Sequence, residues 1–96
     1  MATESIYHVT TAAAWDAEGE LITAASLESE GFIHCSTRAQ LERTLRVHFA
    51  GQTGLVVLEI DPRRVTAELR WELADGMPFP HVYGPIPRAA VVGVER

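Results

Sequence analysis

The sequence contains no lysine, a single cysteine and no long apolar run. Cys35 alone cannot form an internal disulfide, and MATESIY at the start has neither a basic nor an apolar leader, so we expect a cytoplasmic protein. The longest apolar stretches, LVVL at 55–58 and AAVV at 89–92, are too short to cross a bilayer. These absences argue against a membrane role.

The eight basic residues are all arginines, and thirteen acidic residues give the chain a net charge of −5. This balance argues against a general nucleic-acid binder, whose affinity comes mostly from neutralising phosphates. With 96 residues, of which 47% are hydrophobic, the chain is expected to fold as one domain spanning 1–96.

Apolar periodicity and capping signals predict the order β-α-(α)-β-α-β-β-β. The order has too few regular β-α alternations for a doubly wound parallel sheet. We therefore expect a compact α+β domain with a mixed or antiparallel sheet and two or three short helices. The predicted elements are strands at 5–9, 31–36, 55–60, 65–72 and 88–95, helices at 12–20, 26–30 and from Thr37 to about Gly51, a loop at 74–80 and a brief strand at 81–83.

Three of the four histidines, His8, His34 and His81, lie beside predicted strand ends or loops. Ligand sites gather where strands end, and histidine acts as acid, base or hydrogen-bond donor near neutral pH. We expect the three to converge on one cleft, although each imidazole taken alone is also explained by a hydrogen bond to nearby backbone. His48 lies within a predicted helix and is assigned to that helix rather than to a site.

Strand alternation places Phe32, His34 and Ser36 on one face of the third predicted segment, and Ile33 and Cys35 on the other. Cys35 is therefore interpreted as a small buried hydrophobe and not as a nucleophile paired with His34. A capping box, with Thr37 at the N-cap and Gln40 three residues on, begins the next helix. Its free N–H groups make Ser36, Thr37 and Arg38 a candidate phosphate contact as well.

Glu72 closes a predicted strand and either projects into the same cleft or is one of several solvated carboxylates. His81 and Tyr83 share a face across Val82, either as part of the site or as a tight aromatic-lined loop. Three histidines would also satisfy a zinc pattern, but no HxH or HExxH spacing supports it, so no metal is expected.

The segments IYHVTT, EGFIHCST, LRWE and FPHVYGPIP resemble domain-of-unknown-function family 952, over nearly the whole chain. That family is grouped with the ADP-ribosyltransferase-like superfamily, whose members hold NAD in a cleft of a split antiparallel sheet. The resemblance implies that His8 hydrogen-bonds a ribose and that Ser36 and Thr37 match the second-strand Ser/Thr position. The segment FIHCS, which contains His34, is similar to the HIH-type segment of RNA 2′-phosphotransferases. No single glutamate matches the third position, for which Glu72 and the His81/Tyr83 pair are candidates.

We therefore expect a small enzyme that binds NAD or a related nucleotide and acts at its ribose, as a transferase or an NAD glycohydrolase. One alternative is a non-catalytic module that binds a nucleotide or an acidic small molecule, and a second is a metal-dependent hydrolase with histidine ligands. The candidate catalytic residues are His8, His34, His81 and Glu72, and the candidate ligand-binding residues are Tyr7, Thr10, Ser36, Thr37, Arg38 and Tyr83.

Overall fold

A buried central strand, β4 (Leu55–Ile60), organises the largest part of the fold. The computed structural model describes residues 4–17 and 19–96. β1 (Ile6–Thr11) and β8 (Val91–Glu95) flank β4, and both run antiparallel to it. Alternate β4 residues, Val56, Leu58 and Ile60, are almost completely buried. The predicted strand at 55–60 is thus confirmed.

Two smaller sheets complete the strand pairing of the described residues. β2 (Leu21–Ile22) pairs with β7 (Ile86–Pro87). In the other sheet, β6 (Met77–Val82) lies between β3 (Ile33–His34) and β5 (Leu69–Ala74). Every pairing between the described strands is antiparallel. The expected α+β domain with a mixed or antiparallel sheet is thus confirmed, and its strands form three antiparallel sheets.

In the part of the chain that the structure describes, three α-helices cover the sheets: α1 (Ala12–Ala17), α2 (Ala25–Ser29) and α3 (Arg38–His48). The predicted capping box at Thr37 is confirmed, because the Thr37 hydroxyl accepts from the Gln40 amide while the Gln40 side chain accepts from the Thr37 amide. α1 ends at Ala17, earlier than predicted. Glu18, within the predicted helix, and residues 1–3, within the predicted domain and leaderless start, lie outside the described residues.

The core lies between the sheets, where the aliphatic side chains of different strands meet. Each fully buried aliphatic side chain contributes about 1.5–3 kcal/mol relative to an exposed one. A second, smaller cluster packs α3 against the other face of β1, through Tyr7, Val9 and Leu41. The members of the main cluster that are essentially inaccessible to solvent are Ile6, Ile22, Ile33, Val56, Leu58, Ile60, Val82, Ile86 and Ala90.

The predictions of a strand at 65–72 and a loop at 74–80 are wrong in their bounds. β5 begins only at Leu69, and the supposed loop contains most of β6. Between them Asp75 and Gly76 have φ values of 53° and 79°, as in the two-residue hairpin turns that favour Asp-Gly. The Asp75-Gly76 pair indicates the hairpin turn, whereas Pro78 and Pro80 favour the prediction of a loop.

β6 accommodates its two prolines because both lie on the same edge of the strand. The Pro80 carbonyl accepts from the Cys35 amide, and the Pro78 carbonyl accepts from the Gln40 side chain. The backbone polar groups of the even-numbered β6 residues therefore point toward β3 and α3. Their missing N–H groups therefore lie on the side away from β5. The hydrogen bonds between β5 and β6 need only the odd-numbered residues of β6.

Two further strand predictions change in detail. The predicted strand at 31–36 is regular only over Ile33–His34, after which Ser36 forms an isolated bridge with Tyr7 through two backbone hydrogen bonds of 2.8 and 2.7 Å. Here the chain leaves the β6 sheet and joins β1. The predicted strand at 88–95 begins with a 3-10 helix, Arg88–Ala90, before β8.

Candidate functional site

The outward face of the β3-β6-β5 sheet carries three of the candidate residues, His34, Glu72 and His81, together with Arg70. Strand register places His34 opposite His81, Arg70 opposite His81, and Glu72 opposite Phe79. Directly opposed residues project from the same face of a sheet. The other face turns Ile33 and Val82 into the core. The alternation that builds the core thus also builds the polar face.

Glu72 connects two of the candidate residues through one carboxylate oxygen. The Tyr83 hydroxyl donates to Glu72 Oε1 at 2.5 Å, and His81 Nδ1 lies 2.9 Å from the same oxygen. An ionised carboxylate only accepts, so His81 carries its proton on Nδ1 when the ring is neutral. Its Nε2 atom is then the nitrogen with a lone pair for a ligand.

These hydrogen bonds also change the acidity of both oxygen-bearing groups. The Tyr83 hydroxyl, followed by His81, lowers the pKa of Glu72 below its ordinary value. In return, the Glu72 carboxylate raises the pKa of Tyr83. The guanidinium of Arg70 lies 4.5 Å above the centre of the Tyr83 ring and donates to Glu68 at 2.9 Å. Arg70 thereby covers the outer side of the Tyr83 and Glu72 pair.

His34 forms a second imidazole and carboxylate pair. Its Nε2 atom lies 3.0 Å from Glu30 Oε2, and both side chains are about half exposed. The His34 and His81 rings meet edge to face, with centroids 5.2 Å apart. The His81 side chain, only 6% exposed, is the more enclosed of the two.

Phe32 holds the two rings from one side. Its ring stacks on His81, with centroids 4.1 Å apart, and meets the edge of His34 at 4.8 Å. Tyr83 lies 5.2 Å from the same ring. Phe32 is therefore central to the cluster, although sequence analysis placed it only on the His34 face.

A cavity of about 420 Å³ opens beside His34 and His81. This volume is within the usual range for small-molecule sites, roughly 300–1,000 Å³. Its wall is mainly apolar and aromatic, with a few polar groups. The lining residues are His34, Cys35, Ser36, Thr44, His48, Phe49, Ala74, Asp75, Phe79 and His81.

His8 is not among the residues that line this cavity. It is buried on β1, and its Nδ1 atom donates to the His34 carbonyl at 2.9 Å. The structure thus brings the three predicted histidines into one connected group. His34 and His81 face the cavity, and His8 holds the backbone of His34.

The six candidate ligand-binding residues are divided between several places. Ser36 lines the cavity and lies within hydrogen-bonding distance of Thr44, at 2.9 Å between the two hydroxyl oxygens. Tyr83 belongs to the Glu72 cluster. The other four do not line the cavity: Tyr7 packs under α3, Thr10 lies on β1, Thr37 caps α3 and Arg38 pairs with Glu95.

Several residues of the site were not selected from the sequence. Glu30 follows α2 and reaches His34, as an acidic residue four positions away on a turn can do. His48 and Asp75 both line the cavity, and Phe79 projects from β6. The periodicity of α3 places His48 on one face of the helix, but it does not predict the contact between His48 and the β5–β6 hairpin. The Asp-Gly hairpin, once recognised, would have located Asp75.

Cys35 has the structural role expected from the sequence. It is 3% exposed, belongs to the main core cluster, and its burial raises the pKa of the thiol to about 12. The thiol is therefore protonated at neutral pH and is not a nucleophile.

Within residues 4–17 and 19–96, no three His, Cys, Asp or Glu side chains are arranged to hold a metal ion. His8, one of the three predicted histidines, uses its Nδ1 atom to donate to the His34 carbonyl. Over the same residues, no helix has the length and apolar character needed to cross a membrane.

The fold and site define a small α+β domain with antiparallel sheets and a cluster of imidazole and carboxylate groups beside one cavity. Over residues 6–94 the chain matches the family described as "Protein of unknown function (DUF952)", and it belongs to that family. The crystal structure of protein CC0527 from Caulobacter crescentus is similar, with 32% identity, a TM-score of 0.85 and coverage of 94% of this chain and 82% of that one. The solution NMR structure of CC0527 gives a TM-score of 0.73 at the same identity, covering 94% and 81%. A comparison with curated proteins finds no match.

Proposed function

We propose that this protein binds NAD or a related nucleotide in the cavity and acts at the ribose, breaking its bond to the leaving base. The observation that carries the proposal is the hydrogen-bonded set of Tyr83, Glu72 and His81 at the edge of an aromatic-lined cavity. The resemblance of the chain to the ADP-ribosyltransferase-like superfamily supports the same assignment.

His81 has the arrangement required of a general base. Glu72 holds the proton on Nδ1 and fixes the ring, which leaves Nε2 to accept a proton from an attacking water or alcohol. The His81 side chain is almost fully enclosed, so the ring needs little reorganisation when the substrate binds. Glu72 acts here as the positioning residue, in the way a carboxylate orients a catalytic imidazole.

The carboxylates of the cluster also suit a reaction in which positive charge develops on the sugar. Breaking the bond between ribose C1′ and the nicotinamide nitrogen leaves an oxocarbenium-like centre, which a nearby anion stabilises. Glu72 and Glu30 supply two such anions beside the histidines. The lowered pKa of Glu72 keeps its carboxylate ionised at neutral pH.

The hydrolytic form of the reaction has a simple balance. The electron pair of the C1′–N bond leaves with nicotinamide, and the oxygen of water forms the new bond to C1′. His81 Nε2 accepts one proton from that water and later releases it to solvent. In the transfer form, an acceptor hydroxyl replaces the water and loses its proton to the same nitrogen.

The test combines an NMR amide titration with an assay of nicotinamide release from NAD. We expect shifts at residues 30–36 and 79–83 and measurable turnover, which His81→Gln and Glu72→Gln abolish or reduce by at least about a hundredfold. Glu42→Gln, which changes an exposed glutamate of α3, is the matched control and should have no effect. Binding without turnover would favour the non-catalytic module, and no shifts at millimolar NAD would refute the nucleotide assignment.

A further inference from the structure

We infer that the end of the cavity opposite His81 recognises the amino- or amide-bearing edge of a heterocyclic base, through Asp75 with Arg43 and His48. The inference rests on the proposed function in using the same cavity, but it concerns which base is selected and not whether a bond is broken. The sequence predicts His48 as a helix residue, and neither Arg43 nor Asp75 is among the predicted site residues.

These three residues meet where the β5–β6 hairpin approaches the end of α3. His48 Nε2 lies 3.8 Å and an Arg43 terminal nitrogen 3.9 Å from the same oxygen of Asp75. Asp75 and His48 both line the cavity. Asp75 therefore brings negative charge to the cavity wall, with two nitrogen donors beside it.

The spacing leaves the hydrogen-bonding capacity of Asp75 available to a ligand. Hydrogen bonds between nitrogen and oxygen fall at about 2.7–3.2 Å, so neither of the two contacts is a direct hydrogen bond. By contrast, Asp61 accepts from the Arg63 side chain at 3.2 Å. In the described part of the chain, no hydrogen bond ends on the Asp75 carboxylate.

A carboxylate next to nitrogen donors matches one kind of chemical edge. The carboxylate accepts from an amino group, and the neighbouring guanidinium or imidazole donates to an adjacent ring nitrogen or carbonyl. Adenine, cytosine and a carboxamide all present a donor and an acceptor side by side. Phe49 and Phe79 line the wall between, and aromatic faces are suited to stacking a flat base.

The hairpin sets a distance that suits a nucleoside. Along β6 the outward side chains run from His81 through Phe79 to the turn. Because a strand rises about 3.4 Å per residue, His81 and the turn are separated by roughly 15 Å. A base held at Asp75 would therefore direct its ribose toward His81. Recognition and chemistry lie at opposite ends of one cavity.

The test compares adenosine with purine riboside, which differs only in lacking the 6-amino group. We expect the protein to bind adenosine at least about fivefold more tightly in an NMR amide titration, because a hydrogen bond to a charged acceptor is a strong one. Asp75→Asn and Asp75→Gly should each remove most of that preference. Both substitutions suit the φ of 53° at this turn position, so the hairpin is retained.

Asp16→Asn is the matched control, since Asp16 is an exposed aspartate paired with Arg96 away from the cavity, and it should keep the preference. Equal binding of the two nucleosides by the unmodified protein, no shifts with adenosine, or a preference unchanged by both Asp75 variants would each overturn the inference. A preference that depends on Asp75 without cleavage of NAD would refute the proposed reaction alone. Cleavage with no dependence on Asp75 would refute the recognition alone.

Discussion

Phe32 stacks face to face on His81, with ring centroids 4.1 Å apart and an angle of 19° between the planes. Glu72 holds the same imidazole by a hydrogen bond at Nδ1, with 2.9 Å between Nδ1 and Oε1. The two contacts restrict different movements, because stacking limits tilt and the hydrogen bond limits rotation about the side-chain bonds. His81 is consequently fixed before any ligand binds.

Replacing Phe32 should loosen this imidazole without removing any polar group. We expect Phe32→Leu to reduce turnover of NAD by about tenfold, since small displacements of a catalytic group cost reaction rate. Val47→Ala, at an exposed apolar position on α3, is the control. Unchanged turnover in Phe32→Leu would show that stacking does not position the ring.

Tyr83 is the main reason why the pKa of Glu72 is low, and its removal should reverse the effect. In Tyr83→Phe, we expect the pKa of Glu72 to rise, as followed by the carboxyl carbon signal in an NMR titration. Arg70→Gln should change it less, because Arg70 is the weakest of the contributing groups. An equal rise in both variants would contradict the hydrogen bond as the leading cause.

The lowered pKa of Glu72 also makes stability depend on pH in a defined direction. Its contribution is fully present above the pKa of an unfolded glutamate and is lost as the pH falls through the lower folded value. Urea unfolding gives the free energy of unfolding at neutral pH and in acid. The difference between these two free energies should be smaller for Glu72→Gln than for the unmodified protein. The control Glu42→Gln should leave that difference unchanged. Arg63 also lowers the pKa of Asp61, so Asp61 accounts for part of the pH dependence that remains in Glu72→Gln.

The buried thiol of Cys35 provides a chemical measure of native packing. With its pKa raised to about 12, it should not react with a disulfide reagent in the folded protein at neutral pH. One equivalent should react in concentrated urea. Rapid reaction in the native state would mean that the core around β3 opens readily.

Gly84 permits a close approach that no other residue allows. A Cβ atom added there would lie 2.7 Å from the Cβ of Ala67, so Gly84→Ala should destabilise the protein by roughly 1–3 kcal/mol. Gly19→Ala, where nothing lies within 4 Å of the added atom, is the control. Chemical denaturation of both variants tests this, and equal stabilities would contradict it.

The sequence predicted those features that depend on local patterns. The strand at 55–60, the capping box at Thr37 and the burial of Cys35 follow from spacing and residue type, and all three are confirmed. Trp71 shows where such patterns fail. Alternation over residues 65–72 places Trp71 on the same face as Leu69, but Trp71 is 53% exposed, because the hairpin extends beyond the core that this face would cover. No local pattern reports how far a hairpin projects.

The site was predictable in part for a similar reason. His34 and His81 were selected as residues near strand ends, and their pairing across β3 and β6 brings them together. The contact between His48 and Asp75 joins a helix end to a turn that are distant in the sequence. Only the packing of α3 against the hairpin creates it, so residue spacing carried no trace of it.

The positions of the paired strands along the chain affect how the native state forms. β4 pairs with β1 and β8, the first and last of the described strands, and β3 pairs with β6, which is distant from it in the sequence. Among the described strands, only β5 and β6 are joined directly as a hairpin. Distant pairings must overcome the entropy of closing long loops and form slowly. The hairpin carrying Glu72 and His81 is thus able to form early, but His34 joins it only on long-range closure, so the complete site belongs to the intact chain and not to any local fragment.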